Sequence, residues 1–385
     1  MKKLEGDKIN QILSMRKPYV FLAVFGVLGL LAVLVTSAAT FSISIEPETN
    51  ASSNLVINDS TASGAKALQF GTVTQTGNIW KPAQQTRWQW VLSGTVNTSE
   101  ASRFDMYDID LTDAIPEDMT QQVTWANGYT ANVTWPKGSN AGIIASLKAS
   151  GKKVVCYMDT GAFEDYEPDA VMFPGKWGSS NNTRSISYSG PPEYQNIDVL
   201  GGDSEDSSGG TFNGEYWLDI RETSWKYFAP IIWARLDLAK RIGCDGVEGD
   251  QNNSYGNDST FGVNEAISLR WYREFFYQTH QHGMAAIAKN GVELVDQMIT
   301  DPSNIAYCTP GTCQPDGFLN EECKQYDECE VYDGALSRGL WVGQVEYKGN
   351  SSAVCPDANT KHRMAMRKPE YDPVDMRISY ACWEL

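Results

Sequence analysis

Two short segments of the sequence place carboxyl side chains directly after an apolar stretch. Glu248 and Asp250 stand at alternate positions of residues 243–250 (GCDGVEGD), and Glu321 ends the apolar start of residues 318–323 (FLNEEC). Alternate residues of a β-strand face the same side, so Glu248 and Asp250 are expected to point together. Glycoside hydrolysis needs two carboxyl groups, one to protonate the leaving oxygen and one to attack carbon or activate water. Asp250 and Glu321 are therefore predicted to be a catalytic pair, although an acidic turn after a strand also explains the first segment.

Such a pair requires strands that bring distant residues together. Stretches with helical character (141–150, 224–242 and 264–282) lie between several apolar segments, and this alternation indicates parallel β/α units. A doubly wound open sheet is the rival, but no Gly-rich phosphate loop follows an early strand. Eight units predict a closed α/β fold, the (β/α)8 TIM barrel. The candidate strands are residues 88–92, 104–109, 154–158, 217–220, 246–249, 285–289, 318–320 and 342–346.

Polar residues stand at the ends of most candidate strands. The carboxyl ends of barrel strands meet at one mouth, where enzymes of this fold place their chemistry. A ring of acids there is hard to explain by solvation alone, because a lone buried carboxylate is costly. Besides the catalytic pair, the predicted substrate-binding residues are Asp108, Asp110, Tyr157, Asp159, Asp219, Glu248, Lys289, Asn290, Asn320 and Glu346.

The amino-terminal region has the pattern of an exported protein. Residues 1–18 are polar and basic, and an uncharged, largely apolar run covers residues 19–43. The run predicts either a transmembrane signal-anchor with a cytoplasmic basic segment or a signal peptide cleaved near Ala39. Residues 44–79 are rich in Ser, Thr and Asn and predict a linker, and residues 80–385 predict the folded barrel domain. The protein is expected at the extracellular face of the membrane as a single-pass type II protein, or secreted.

The eight cysteines agree with an oxidising compartment and predict disulfides. The close pairs Cys308/Cys313 and Cys323/Cys329 are either local disulfides or zinc ligands. The disulfide reading is favoured because the spacings match no standard zinc pattern and the chain has three histidines. We therefore predict neither a metal nor a cofactor. Glycosylation sequons occur at Asn50, Asn58, Asn97, Asn132, Asn181, Asn252, Asn257 and Asn350.

Charge and aromatic content bear on the partner. The formal net charge of −17 argues against nucleic acid, whose phosphates would be repelled. It suits a cationic ligand, although acidity is also common among secreted proteins. The 12 Trp and 18 Tyr residues fit a protein that stacks sugars on aromatic rings. Charge and aromatic content are therefore compatible with a cationic ligand and with carbohydrate binding.

A series of short motifs follows one another in order along residues 88–347. They are WQWVLSG (88–94), YDIDL (107–111), VCY (155–157), GEYWLDIR (214–221), RLDLA (235–239), GCDGVE (243–248), KN (289–290), NEEC (320–323) and EY (346–347). Through these motifs the sequence resembles the endo-α-1,4-polygalactosaminidase family of glycoside hydrolases, which includes spherulin-4-like proteins. The resemblance implies a (β/α)8 barrel that cleaves α-1,4-linked galactosamine polymers, so the expected partner is a polysaccharide of cationic amino sugars. It implies that Asp250, in the GVExD pattern, is the nucleophile or electrostatic partner and that Glu321, in the NExC pattern, is the acid/base.

Some positions depart from the pattern of that family. Gly249 and Gln251 stand where the family usually has Pro and Asn, Asp159 replaces a usual Ser, and Glu167 replaces a usual Arg. The added carboxyls would suit an ammonium-bearing sugar or would mark divergence. A non-catalytic cell-wall or coat carbohydrate-binding protein that keeps the barrel is the alternative function, and the intact carboxyl pair argues against it.

Overall fold

The computed structural model describes residues 56–58, 66–68, 79–175, 187–205, 211–302, 304–369 and 375–385. The chain divides into two compact units, residues 1–68 and residues 69–385. In the first unit, Val56–Asn58 pairs antiparallel with Lys66–Leu68. The predicted basic segment (1–18) and membrane segment (19–43) lie outside the described residues. Within the described parts of the chain, no helix is both long and apolar enough to cross a membrane.

The second unit is built around a curled sheet that contains eight parallel strands in sequence order. The indole Nε1 of Trp88 on the first strand donates to the Met364 carbonyl of the last, 2.8 Å away, so the two ends of the sheet approach each other. This arrangement is an α/β fold consistent with a TIM-type barrel. The strands are β1 (Trp88–Val91), β2 (Met106–Asp110), β3 (Lys153–Asp159), β4 (Gly246–Asp250), β5 (Ala285–Lys289), β6 (Gly317–Glu321), β7 (Trp341–Glu346) and β8 (Met364–Arg367).

One predicted strand was placed wrongly. Residues 217–220 do not form a strand of the curled sheet, because Trp217 and Leu218 end Thr211–Leu218, which pairs antiparallel with Ala162–Glu164 and Leu200–Glu205. The eighth parallel strand is instead β8, which the sequence analysis missed. The other seven predicted strands correspond to β1–β7.

The remaining elements surround the sheet. The three predicted helices are confirmed, with bounds that differ by one or two residues. A hairpin of Met119–Thr124 and Thr130–Trp135 follows β2, and Tyr380–Ala381 pairs antiparallel with β8. The helices are α1 (Ile143–Ala149), α2 (Trp225–Ile242), α3 (Glu265–Gln281), α4 (Val295–Met298), α5 (Asp333–Ser337) and α6 (Ser351–Lys361).

Strict alternation along the strands decides which side chains reach the barrel interior. On β4, Val247 packs into the apolar cluster that includes the helices. Ile287 of β5 and Leu319 of β6 belong instead to a second cluster with Trp88 and Trp341, inside the sheet. Side chains alternate along a strand, so every second residue of each strand points inward. At the carboxyl ends of the strands, several of these inward-pointing residues are polar. That set consists of Asp108, Asp110, Tyr157, Asp159, Glu248, Asp250, Lys289 and Glu321.

All eight cysteines of the chain are described, and all form disulfides. Cys308–Cys313 and Cys323–Cys329 close local loops, so the zinc alternative for these pairs is wrong. Cys355–Cys382 ties α6 to the carboxyl terminus. Cys156–Cys244 joins β3 to the residues before β4 over a separation of 88 residues. A loop of that length corresponds to about 4–5 kcal/mol in the chain-entropy model.

Candidate active site

Lys289, the last residue of β5, stands at the centre of the mouth. Its Nζ lies 2.8 Å from Asp250 Oδ2, 3.1 Å from Glu321 Oε2 and 3.7 Å from Glu248 Oε1. Only 4% of the Lys289 side chain is exposed. Burial alone would lower the pKa of Lys289, but the three carboxylates around it raise the pKa well above its ordinary value. The lysine is therefore a permanent cation shared by both predicted catalytic residues.

Asp250 ends β4 and is held on both oxygens. Tyr157 Oη donates to Oδ2 at 2.9 Å, beside the Lys289 ammonium, and the backbone N–H of Gln251 donates to Oδ1 at 2.7 Å. The residue is 8% exposed, so one small face remains open to the mouth. Donors on both oxygens fix the orientation of the carboxylate.

Glu321 ends β6 and is the more open member of the pair, with 25% of its side chain exposed. Asn290 Nδ2 donates to its Oε2 at 3.2 Å, and Tyr347 Oη donates to its Oε1. Asn290 also accepts the backbone N–H of Glu321 at 3.1 Å, so this asparagine holds both parts of the residue. Because one Lys289 Nζ contacts both carboxyls, the contacting oxygens of Asp250 and Glu321 lie within about 6 Å of each other, a separation of the order found between the two carboxyls of glycosidases.

Glu248 and Asp108 lie one level deeper, and both are 0% exposed. Trp90 Nε1 donates to Glu248 Oε2 at 3.1 Å, whereas no hydrogen-bond donor among the described residues reaches either oxygen of Asp108. Burial is the main cause that raises the pKa of Glu248 to about 7, and burial and the Glu248 charge raise the pKa of Asp108 well above its usual value. A sugar at the mouth cannot touch side chains without exposed surface, so we replace their predicted substrate contact with a position beneath the pair.

A second acidic group adjoins the first. The carboxyl oxygens of Asp159, Glu164 and Glu215 lie within 4.8 Å of one another. Tyr157 connects the two groups, because its Oη lies 3.5 Å from Asp159 and 2.9 Å from Asp250. Burial raises the pKa of Asp159 and Glu164, and it raises the pKa of Glu215 to about 7. This set is the one that would suit a cation, although Arg235 already contacts Glu164 at 3.0 Å.

An exposed aromatic ring stands beside this second group. Tyr166 is 58% exposed, and its Oη lies 3.1 Å from Glu164 Oε1 and 2.9 Å from Glu215 Oε1. The hydroxyl is thus anchored while the ring faces solvent. Amphipathic rings of this kind can stack on the apolar face of a sugar.

Asp110 and Glu167 line a small cavity together with Tyr157, Trp135 and Arg235. Burial raises the pKa of Asp110 to about 7 and that of Glu167 to about 9. Thr112 Oγ1 lies 3.1 Å from both Glu167 oxygens. At neutral pH Glu167 therefore holds its proton and Asp110 is only partly ionised, so the two carboxyls add less negative charge to the mouth than their number indicates.

Three residues predicted to bind substrate do not join these contacts. Asn320 accepts the N–H of Cys323 at 2.8 Å, and Glu346 accepts that of Lys324 at 2.9 Å, so both fix the loop after β6 from the outer side of the sheet. Asp219 follows the antiparallel strand Thr211–Leu218, where Arg221 Nε contacts it at 2.6 Å. These positions correct the sequence prediction. Strand alternation turns Asn320 and Glu346 to the outer side of the sheet, and Asp219 follows the strand that was placed wrongly.

Tyr347, Trp90, Glu164 and Glu215 were missed as site residues. Tyr347 follows the inward-facing Val345 by two positions, so the alternation of β7 could have identified it. Glu164 and Glu215 come from the antiparallel sheet, and only their cross-strand pairing brings them together. No local signal in the sequence indicates that pairing.

The backbone turns sharply after three neighbouring strands. Gln251, Asn290 and Glu322 directly follow β4, β5 and β6, and their φ angles are 59°, 50° and 63°. Non-glycine residues in this left-handed region cost free energy, and such positions cluster at functional sites. The turns direct the chain away while the preceding carboxyls and Lys289 face the mouth.

A curled parallel sheet with paired carboxyls at its carboxyl-terminal edge defines a hydrolase-type barrel site. Residues 71–380 match the profile of glycoside-hydrolase family GH114. The chain therefore belongs to this family and is a glycosidase.

One solved structure supports the fold, and a second similar chain is reported beside it. The crystal structure of Aspergillus fumigatus Ega3 in complex with galactosamine shares 24% identity, covers 79% of this chain and 98% of that chain, and gives a TM-score of 0.56. The glycoside hydrolase domain of PelA from Pseudomonas aeruginosa shares 13% identity over 74% of this chain and 96% of that chain, with a TM-score of 0.45. No curated protein matches the chain significantly.

Proposed function

We propose that the protein is an endo-acting hydrolase of α-1,4-linked galactosamine polymers that uses Asp250 and Glu321 as its catalytic pair. One observation carries the proposal: carboxyls from β4 and β6 are held at the mouth by the same Lys289 ammonium. Glycoside hydrolysis uses two carboxyls, one on each side of the scissile bond.

The surroundings of the two carboxyls support different roles. Asp250 is nearly buried and receives Lys289, Tyr157 and a backbone N–H, all of which stabilise a negative charge. This suits a nucleophile or a group that stabilises the cationic transition state. Glu321 is more exposed. Such exposure suits a residue that donates a proton to the leaving oxygen and later takes a proton from water.

The separation of the pair supports a retaining mechanism. Retaining glycosidases place their carboxyls about 5–5.5 Å apart, whereas inverting enzymes need about 6.5–9.5 Å to admit a water. The shared Lys289 limits the contacting oxygens of Asp250 and Glu321 to about 6 Å, which is shorter than the range of inverting enzymes. We therefore expect the first product released to keep the α configuration, which NMR of the anomeric proton can record.

The choice of an amino sugar rests on charge and on the family resemblance. The chain carries a net charge of −17, and Asp159, Glu164 and Glu215 add a group of carboxyls beside the pair. An ammonium group donates three hydrogen bonds and pairs with carboxylates. Ega3, which shares the fold, has been crystallised with galactosamine, and this makes galactosamine oligomers the first ligands to test.

The test measures reducing ends released by the full-length protein from de-N-acetylated galactosaminogalactan. Fully N-acetylated polymer and chitosan serve as substrate controls, and Asp250→Asn serves as the enzyme control. Release from the deacetylated galactosamine polymer, lost in Asp250→Asn, is the expected result. Tight binding of that polymer without any release would instead favour the non-catalytic carbohydrate-binding protein.

We also propose an extracellular location. Four disulfides are typical of chains that fold in an oxidising compartment. Residues 19–43 would then serve as a single-pass type II anchor or as a signal peptide, with residues 44–79 as the linker to the hydrolase domain. An external enzyme has direct access to a wall or matrix polysaccharide.

A further inference from the structure

We infer that the exposed ring of Tyr166 is a binding subsite for a sugar unit of the polysaccharide that lies outside the cleaved bond. The ligand class is a pyranose whose apolar face stacks on the aromatic ring. The inference rests on the proposed function, because that function brings a polymer across the mouth. It adds a residue that binds the polymer without taking part in the chemistry.

Tyr166 stands on the mouth side of the barrel. It lies in the segment that follows β3, and the segments that follow barrel strands surround the mouth. The same segment begins against one member of the predicted pair, because the backbone N–H groups of Thr160 and Gly161 donate to the Asp250 carbonyl at 3.2 and 3.1 Å. The ring therefore belongs to the wall of the mouth and not to a remote surface.

Side-chain contacts connect the ring with the predicted pair. Tyr166 Oη lies 2.9 Å from Glu215 Oε1, and Glu215 belongs to the group whose carboxyl oxygens lie within 4.8 Å of one another. Asp159 of that group lies 3.5 Å from Tyr157 Oη, which donates to Asp250 at 2.9 Å. Because each step is short, a polymer held at the pair needs only a few further units to reach the ring.

Both sides of the turn that carries Tyr166 are fixed by one buried cation. The Arg235 guanidinium, 2% exposed, lies 3.0 Å from Glu164 before the tyrosine and 2.8 Å from Asp169 after it. The Tyr166 hydroxyl lies 3.1 Å from Glu164, so the backbone and the tip of the ring are both held. A binding surface that is already ordered loses little conformational entropy when a ligand binds.

The faces of the Tyr166 ring are open to solvent although its hydroxyl is held. Tyr166 is 58% exposed, the largest fraction of any Trp, Tyr or Phe in the part of the chain that the structure describes. Single exposed apolar side chains are common on protein surfaces, so exposure alone does not define a site. Tyr166 differs from such a side chain because it is ordered, exposed and connected to the pair at the same time.

The chemistry of the ring determines the class of ligand. The face of an aromatic ring carries the negative part of its quadrupole, which attracts weakly positive C–H groups. In a galacto-configured sugar the axial oxygen at C4 leaves the C–H groups of C3, C4 and C5 together on the opposite face. An α-1,4-linked galactosamine unit can therefore lie with this apolar face on Tyr166 while its polar groups point to solvent.

The test compares Tyr166→Ala and Tyr166→Phe in the full-length protein, both in a Glu321→Gln background that keeps oligomers intact. Isothermal titration calorimetry measures the Kd of galactosamine oligomers of increasing length. The background protein should gain affinity at the length that reaches the ring. Tyr166→Ala should lack this gain and bind the longest oligomer at least about tenfold more weakly. Tyr166→Phe keeps the ring and should stay within about threefold of the background.

Tyr307→Ala is the matched control. Tyr307 is 38% exposed, and its hydroxyl also contacts a carboxylate, Glu274 on α3. This ring packs beside α3 rather than beside the carboxyls of the mouth, so its removal should leave the Kd of every oligomer unchanged.

A kinetic readout separates a subsite from a structural role. A contact outside the cleaved bond binds substrate and transition state alike, so Tyr166→Ala with Glu321 intact should raise KM on the polymer about tenfold and change kcat less than about twofold. Unchanged Kd and KM, or a lower kcat at unchanged KM, would overturn the inference while cleavage by wild type stands. Binding that depends on Tyr166 without cleavage by wild type would refute only the proposed function. Absence of oligomer binding would refute both.

Discussion

Replacing Lys289 by methionine removes the cation that joins the site and keeps the volume of the side chain. The ammonium contacts Asp250, Glu321 and Glu248 within 3.7 Å and is 4% exposed, so its loss leaves buried carboxylates without a partner. Breaking a buried ion pair by removing one partner costs about 3–5 kcal/mol. Lys289 lowers the pKa of Glu248, so without the lysine Glu248 can recover part of this loss by taking up a proton. The loss of unfolding free energy should therefore be largest at alkaline pH and smaller in acid.

Urea unfolding of the full-length protein at about pH 5 and about pH 8 measures this difference. At the higher pH we expect Lys289→Met to lose about 3–5 kcal/mol, and at the lower pH at least about 1 kcal/mol less. Its kcat should fall by about 10²–10³ because both proposed catalytic carboxyls lose a preorganised donor. Lys240→Met is the matched control, since Lys240 Nζ donates to the Gly283 carbonyl at 2.8 Å and not to a carboxylate. The reasoning is refuted if Lys289→Met loses less than about 1 kcal/mol or loses the same amount at both pH values.

Three further predictions concern the backbone, glycosylation and the anchor. Gln251→Asn should stabilise the fold by about 0.5–1 kcal/mol in urea unfolding, because asparagine tolerates the φ of 59° better; a loss of stability would contradict this. Asn252 should carry no glycan by glycopeptide mass spectrometry, because it is 1% exposed and its amide contacts Gly249, Thr160 and Trp271; occupancy would contradict the described loop. If residues 19–43 are an uncleaved anchor, the protein should resist carbonate extraction, and an amino terminus near Thr40 would show a signal peptide instead.

Alternation along strands was the most informative signal in the sequence. It put Glu248 and Asp250 on one side of β4, and both do face the barrel interior. The same rule places neighbouring residues on opposite sides of the sheet, so Glu321 and Asn320 face different sides, as do Glu346 and Tyr347. The sequence prediction did not apply this rule when it grouped all polar residues at strand ends together. The carboxylate of Glu346 consequently fixes a loop, while Tyr347 is the residue that donates to Glu321.

The misplaced strand shows what local sequence does not contain. The segment 217–220 (WLDI) and β8 (MAMR) are both short and partly apolar, and their composition does not reveal which partners they pair with. Pairing between Glu215 and Glu164 places the first in an antiparallel sheet, whereas β8 runs parallel to β7. Such long-range choices depend on the packing of the whole sheet, so a pattern within one segment cannot decide them.

The same limit applies to the charge balance of the site. The sequence indicated that acids gather at the mouth but not that Lys289 bridges the pair. It also did not indicate that Asp108 is without a donor among the described residues. Protonation depends on burial and on neighbours from several strands, and both appear only when the strands are assembled.

Azide rescue tests the central claim most directly, because it reports on the identity and the role of each carboxyl together. In Glu321→Ala, azide should restore cleavage of an α-linked galactosamine substrate and give the α-glycosyl azide, since Asp250 still forms the covalent intermediate. In Asp250→Ala, azide should occupy the space of the lost nucleophile and give the β-glycosyl azide. Wild-type protein is the control, and we expect it to form no glycosyl azide. Turnover by either variant within about tenfold of wild type, with no dependence on azide, would contradict the assignment of Asp250 and Glu321 as the catalytic pair.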